Sequence, residues 1–241
     1  MEDNTKIGMN RTGMQMSPVE GPSQAQFALS QPPSSEGGAS ALSEVRAQYV
    51  AQSLRVGSVP LPGTGKGVLA TTVDKIKGKN PEVLINKLGQ RLAFERSGVR
   101  LYQALITKVE ASGHIRRAEL RTDLLHICSE EAAHFHLLTG VMENLGADPT
   151  AQTPCADVSA VASLGLLQVI TDPRTTIAQS LEAILTAELT DNACWELLCD
   201  LAAESGHGDL VQLFQQAVQS EAEHLVLIKK WLREMVLSEA A

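Results

Sequence analysis

The sequence predicts an all-α protein whose residues from about 80 to 237 form an antiparallel four-helix bundle, with a long crossover that carries a short extra helix. Three observations lead there. First, the only aromatics among 241 residues are two Trp, two Tyr and four Phe, although the apolar share is an ordinary 44%, so the core must rest on Leu, Ile, Val and Ala. Such a core favours helices over a β-sandwich. Second, four long segments repeat apolar residues at alternating steps of three and four, which traces one side of a 3.6-residue spiral. Third, each of these apolar stripes is interrupted by ionisable groups near its middle.

Residues 1 to about 42 are rich in Ser, Pro, Gly and Gln, include the run QPPSSEGGAS and show no sustained period, so a disordered leader is expected. Residues 43 to 79 read as a short helix, from about Leu42 to Arg55, followed by the Gly/Pro linker VGSVPLPGTGKG. Gly65-Lys66 in that linker is not a phosphate loop. Pro60 stands where the first Gly would be needed and Gly67 where Ser or Thr would be.

The bundle opens at Asn80-Pro81-Glu82, with a capping residue, a proline suited to the first helical position and an early acid. Its first helix runs to about Ala111, where Ser112-Gly113 stops it, and places Leu84, Leu88, Leu92, Glu95, Val99, Tyr102, Ile106 and Val109 on one face. The second runs from about Arg116 to Leu145, before Gly146, with Leu120, Leu124, Ile127, Glu131, His134, Leu138, Val141 and Leu145 in line. The crossover, Ala147 to Pro173, contains the apolar SAVASLGLLQVI. The third helix, from about Thr175 to Ser205, aligns Leu181, Ile184, Glu188, Asp191, Trp195, Leu198 and Ala202; the fourth, from about Asp209 to Val236, aligns Leu210, Phe214, Ala217, Glu221, His224, Ile228, Trp231 and Met235.

Composition excludes several classes. Twenty basic residues against 28 acidic ones give a net charge of −8 with no long basic run, which argues against a nucleic-acid partner. Cys128, Cys155, Cys194 and Cys199 form no C-x-x-C pair and no even framework, so reduced thiols packed as small apolar residues are expected. No apolar signal core opens the chain and nowhere do 18 apolar residues run together, so a cytoplasmic protein with no membrane partner is expected.

The interruptions of the stripes follow a rule. The first and third helices each supply a lone Glu, Glu95 and Glu188, while the second and fourth each supply Glu-x-x-His, as Glu131/His134 and Glu221/His224. A three-residue step puts Glu and His on one face, close enough to grip one metal ion. Glu95 and Glu131 lie about equally far from the turn near residue 113, and Glu188, Glu221 and His224 do so from the turn near 206. At ~1.5 Å per residue all then share one level of an antiparallel bundle to within roughly 6 Å. Four buried carboxylates would each cost several kcal/mol unless neutralised. Two divalent cations would balance them, and mixed oxygen and imidazole ligation suits iron or manganese better than a closed zinc site. One E-x-x-H alone usually marks a solvated face; two, each matched to a lone Glu at a common level, do not arise easily by accident. Glu130 and Glu223, beside ligand positions but off the stripe, are expected to point away, and His114, His126, His136 and His207 to lie on the surface or in turns.

On these residues the segment 80 to 237 resembles the ferritin-like superfamily, bacterioferritins and rubrerythrins in particular. The spacings agree: 36 residues separate Glu95 from Glu131 and 33 separate Glu188 from Glu221, two similar hairpins joined by a longer crossover. The resemblance implies that Glu95, Glu131, His134, Glu188, Glu221 and His224 ligate two iron ions, manganese being the alternative, with Glu131 and Glu221 as bridges. It implies that Tyr102 lies beside the site as a catalytic residue, and it matches Asp191 to an additional carboxylate of rubrerythrins. The chain departs from a rubrerythrin in lacking Cys pairs for a rubredoxin-like domain, which leaves the electron donor unknown. It departs from a bacterioferritin in having no Met in the ligand-bearing middle of its helices to hold haem. The implied function is a ferroxidase- or peroxidase-like oxidoreductase acting on dioxygen or peroxide, in a homo-oligomer. The alternatives are an iron-storage oligomer and a metal-free interaction scaffold.

Overall fold

The computed structural model describes residues 5, 7–9, 17–31, 38–65, 67, 68, 80–113 and 118–240; Lys66 and His114 lie outside this set. The helices are α1 (Glu20–Ser30), α2 (Ala39–Gln52), α3 (Pro81–Ala111), α4 (Ala118–Asn144), α5 (Pro154–Thr171), α6 (Ile177–Glu204) and α7 (Gly208–Ala240), with no strand among the described residues. The chain divides into two compact units, residues 4–56 and a larger one from residue 57 onward.

In the smaller unit α1 occupies part of the segment for which no regular structure is expected. Its sequence EGPSQAQFALS is locally helix-compatible, because Pro22 falls in the first turn, where a missing N–H is tolerated. Neither helix carries a core: Gly21 is the one buried residue of α1, and α2 has none.

The larger unit consists of two antiparallel hairpins, α3–α4 and α6–α7, joined by α5, which crosses along α3 and α6. Its ends follow ordinary capping chemistry. Thr176 and Gln179 form a reciprocal capping box at the start of α6, with Gln179 N donating to Thr176 Oγ1 at 3.1 Å and Thr176 N to Gln179 Oε1 at 2.9 Å. Gly146 and Gly206 take left-handed φ values of 79° and 83°. The next residue in each case closes a Schellman turn, Ala147 N to Met142 O and His207 N to Ala202 O, both at 2.9 Å. Asn80 caps α3 without a side-chain bond. Residues 57–65, read from sequence as linker, pack on the bundle: Gly63 N donates to Gly146 O at 2.9 Å, and Pro60 and Pro62 share a pocket with Pro81, Ile85 and Leu145.

The 18 residues of α5, of mean hydropathy 1.4, meet the length and composition of a membrane-crossing helix, which the sequence reading did not single out. In the fold α5 packs along α3 and α6 and leaves Val158, Val161 and Leu164 exposed.

Two apolar layers fill the bundle. One joins Leu101, Leu105, Leu120, Leu124, Ile127, Leu181, Ile184 and Ile228 among others; the second joins Leu84, Leu88, Leu138, Met142, Leu198 and Phe214. The mid-stripe ionisable residues fall between them in every helix. The buried face of α3 is wider than one stripe, because α4, α5 and α6 all contact it; it takes in Gly89, Arg91, Phe94, Gly98 and Leu101 as well.

Candidate metal centre

The polar layer is assembled from four helices: Glu95 and Tyr102 from α3, Glu131 and His134 from α4, Glu188 and Asp191 from α6, and Glu221 and His224 from α7. The four Glu and Asp191 are each no more than 2% exposed, so water cannot solvate their charge. Their ligand atoms fall into sets in which every member lies within 4.8 Å of the others. One set is Glu131, Glu188, Glu221 and His224; another is Glu95, His134 and Glu221; a third is Glu95, Glu131, Asp191 and Glu221. Glu221 belongs to all three, and Glu95 and Glu131 to two each, so these carboxylates lie where two adjacent cations could share them.

Hydrogen bonding divides the carboxylate oxygens in a regular way. Glu95 Oε1 accepts from Arg91 Nη2 at 2.5 Å and Trp195 Nε1 at 3.0 Å, whereas Oε2 has no partner. Glu188 Oε1 accepts from the Tyr102 hydroxyl and Oε2 is unpartnered. Glu221 Oε2 lies 3.2 Å from His224 Nδ1, while Oε1 is 2.8 Å from His134 Nδ1 without the alignment of a hydrogen bond, so both of those atoms remain unpartnered. Neither oxygen of Glu131 has a partner. Buried polar atoms are rarely left so. Six of them, five carboxylate oxygens and one imidazole nitrogen, gathered in one layer, are what a pair of cations with oxygen and nitrogen ligands would satisfy, so the residues fit a di-metal site.

Electrostatics agree. Burial, then repulsion from Glu95, Glu221 and Glu188, pushes the Glu131 carboxyl well above the usual range. Burial and Glu221 raise Glu188 to about 8, against the pull of His224 and Tyr102. Burial works to raise Glu221 too, but the His134 and His224 imidazoles beside it win and bring it down to about 2. Burial opposes the charged form of His224, yet Glu221 and Glu188 lift it to about 9. Burial and the neighbouring Glu188 push the Tyr102 phenol well up, so it keeps its proton. With no cation in the layer, then, carboxylates are held protonated or are paired to imidazolium; cations would take over both tasks.

All six residues of the sequence pattern, together with Tyr102, converge here. Asp191 also reaches the layer, where it accepts from Arg91 Nη2. One expectation needs correction. Glu130 does not point away: its Oε2 lies 2.9 Å from His224 Nε2 and 3.3 Å from Nε2 of the exposed His126. Glu and His side chains are long enough to meet although the Glu130 backbone is rotated off the stripe, and a carboxylate on the outer ring nitrogen fixes the orientation and tautomer of a ligating imidazole. Glu223 is exposed, as expected.

Three participants have no counterpart in the sequence pattern. Arg91, 1% exposed, holds Glu95 and Asp191 together. Trp195, a member of the third helix's stripe but not of the ligand pattern, donates to Glu95 and meets the His134 ring edge-on at 5.5 Å. Gly98 approaches Glu131 so closely that a Cβ there would stand 2.1 Å from Glu131 Oε2. The one available signal was a glycine in the interior of an otherwise strong helix, at about 1 kcal/mol relative to alanine.

No protein-family model matches this chain, and no curated protein does. A solved structure of ferritin like, diiron-carboxylate proteins from Bacillus anthracis str. Ames is similar to it, with 21% identity over 62% of this chain and 94% of that one and a TM-score of 0.49. The architecture stands on its own geometry: two antiparallel hairpins and a helical crossover close around a central layer of carboxylates and histidines as an all-α four-helix bundle.

Proposed function

We propose that this chain is a di-iron carboxylate oxidoreductase acting on dioxygen or peroxide. The observation that carries the reading is the set of unpartnered, buried ligand atoms on Glu95, Glu131, His134, Glu188 and Glu221. Glu95, Glu131, His134, Glu188, Glu221 and His224 would hold the two ions. Two ferrous ions so held would supply the electrons for reducing an oxidant. The chain's own groups then have defined tasks. Arg91 and Trp195 orient Glu95; Glu130 orients His224; Tyr102 keeps a phenolic proton on Glu188 Oε1 at the edge of the layer. The apolar layers above and below exclude water.

Burial also narrows the substrate. With no ligand candidate more than 7% exposed, a small oxidant reaches the layer far more readily than an organic molecule does. A metal-free scaffold has no use for five buried carboxylates, each an unfavourable guest in an apolar core. The deciding experiment is metal analysis of the purified chain, followed by oxygen consumption and absorption spectra during aerobic addition of ferrous iron. Two ions per chain and rapid oxidation are expected. Less than about half an ion per chain after saturation overturns the metal reading, and two ions without oxygen or peroxide turnover leaves a storage protein.

A further inference from the structure

Arg91 is an unusual member of a metal layer. It is fully enclosed, one helical turn before Glu95 on α3, with its guanidinium 4.7 Å from the Phe94 ring centre and 5.8 Å from that of Trp195. A single nitrogen, Nη2, serves both Glu95 Oε1 and Asp191 Oδ1, and so ties α3 to α6. Burial disfavours the charged guanidinium, yet Asp191 and Glu95 hold its pKa above the ordinary value. Asp191 stands apart from the ligand candidates in a second way. Glu95, Glu131, Glu188 and Glu221 each keep a fully inaccessible oxygen with no partner, whereas neither Asp191 oxygen is in that state and Oδ1 is engaged by Arg91.

We infer that Arg91 is the fixed fifth positive charge of the metal centre and that Asp191 is its counterion, not a ligand, although an Asp191 oxygen lies within 4.8 Å of those of Glu95, Glu131 and Glu221. The inference rests on the di-metal reading above. Five carboxylates carry five negative charges, and two divalent cations supply four positive ones. Arg91 supplies the fifth, and the filled layer is neutral, which a buried cluster requires. Arg91 is thus a positioning residue. Through Nη2 it holds Glu95 by Oε1, which leaves Oε2 free for a cation, and it engages Asp191 Oδ1, which would keep that oxygen from acting as a ligand.

The test is Co²⁺ titration of the full chain, metal-free at the start, with the cobalt absorption bands as a report of coordination, in the wild type, D191N, R91Q and R91Q/D191N. D191N strands the guanidinium as an unbalanced cation and weakens Co²⁺ binding by at least about 10-fold, the scale on which outer partners of ligands act. Removing the stranded charge recovers part of it: R91Q/D191N, which also loses the Arg91 hold on Glu95, binds more tightly than D191N and more weakly than the wild type, with cobalt bands at the wild-type positions. If the double variant stays as weak as D191N, or its bands change, Asp191 is a ligand and the inference falls. Should the double variant not fold by far-ultraviolet circular dichroism, D191N alone decides, since wild-type band positions and intensities support a counterion and altered ones a ligand. R91K, which keeps the charge, is expected to stay closer to the wild type than R91Q. A wild-type chain that binds no Co²⁺ overturns the metal reading itself, an outcome distinct from any of these.

Discussion

Gly98→Ala isolates the geometry of the centre from the stability of the fold. In an ordinary helix interior this change gains about 1 kcal/mol from helix propensity. At Gly98 the new methyl would stand 2.1 Å from Glu131 Oε2 and 3.0 Å from its Cδ. To reach ordinary contact near 3.4 Å the carboxylate must retreat by about 1.3 Å. Metal–ligand bonds tolerate about 0.2 Å, so a retreat of that size removes Glu131 from the centre. Because Glu131 belongs to two of the three ligand sets, its retreat disturbs more than one of them, and Co²⁺ affinity is expected to fall by at least ~100-fold. The metal-free fold, by contrast, loses no bond, since neither Glu131 oxygen has a partner to lose. Its stability in urea should therefore stay within about 1 kcal/mol of the wild type. Gly140→Ala is the control. A Cβ there meets nothing within 4 Å, so this variant should gain stability and bind metal normally. Wild-type Co²⁺ affinity in Gly98→Ala would refute the placement of Glu131 in the centre.

Other outcomes follow from the same layer. Glu131→Ala and Glu221→Ala should abolish both tight metal binding and ferrous oxidation while leaving circular dichroism intact. Glu223→Ala should change neither, and Glu130→Ala, which frees His224 Nε2, should weaken metal binding 10- to 100-fold. Deleting residues 1–56 should leave the melting temperature and metal content of the bundle unchanged, because α1 and α2 bury only Gly21; a fall of more than a few degrees would show that they contribute. Folded-state values raised to about 8 for Glu188 and about 9 for His224 mean that the metal-free fold binds more protons than the unfolded chain. Its stability is therefore full below about pH 4.5 for Glu188 and about 6.5 for His224, and is lost as pH rises through 8 and 9. Glu221, lowered to about 2, acts the opposite way, but only in strong acid. The melting temperature of the metal-free chain should fall between pH 5 and 9, and Co²⁺ affinity should rise over the same range as protons leave the ligands; a flat metal-free profile would contradict the burial of the layer.

The stripes were legible because each helix buries an apolar face, and the ligand pattern was legible because it breaks those faces at one level. What stayed hidden lies off that line. From Glu95 a backward step of three lands on Leu92 and one of four on Arg91; an apolar stripe selects the leucine, and only the contacts of α3 with three other helices bury the arginine too. Glu130 is displaced by about 100° around α4 from Glu131, and no periodicity reports that a long side chain can reach back to His224. Tyr102 was legible as a stripe member, but its bond to Glu188 belongs to the pairing of α3 with α6, which no local signal encodes. α1 shows the reverse case, a helix of local origin in a segment whose composition cannot build a core.

The two apolar layers explain how the chain sustains a centre that works against its own stability. Leu88, Leu138, Leu198 and Phe214 on one side and Leu105, Leu124, Leu181 and Ile228 on the other are all essentially inaccessible, and each fully buried side chain of this kind contributes roughly 1.5–3 kcal/mol. Against that the middle layer sets a cluster of like charges which, without cations, is relieved by protons held on carboxyls such as Glu131 and Glu188 and by the charge on His224. Apolar residues of equal volume at Glu131 and Glu188 would join the layers into one core and stabilise the metal-free fold. The actual side chains are the less stable choice, held in place by Arg91, Trp195, Glu130 and the missing side chain of Gly98. A bundle that spends an arginine, a tryptophan, a second carboxylate and a helix-interior glycine on keeping unpartnered oxygens in register is organised around what those oxygens bind.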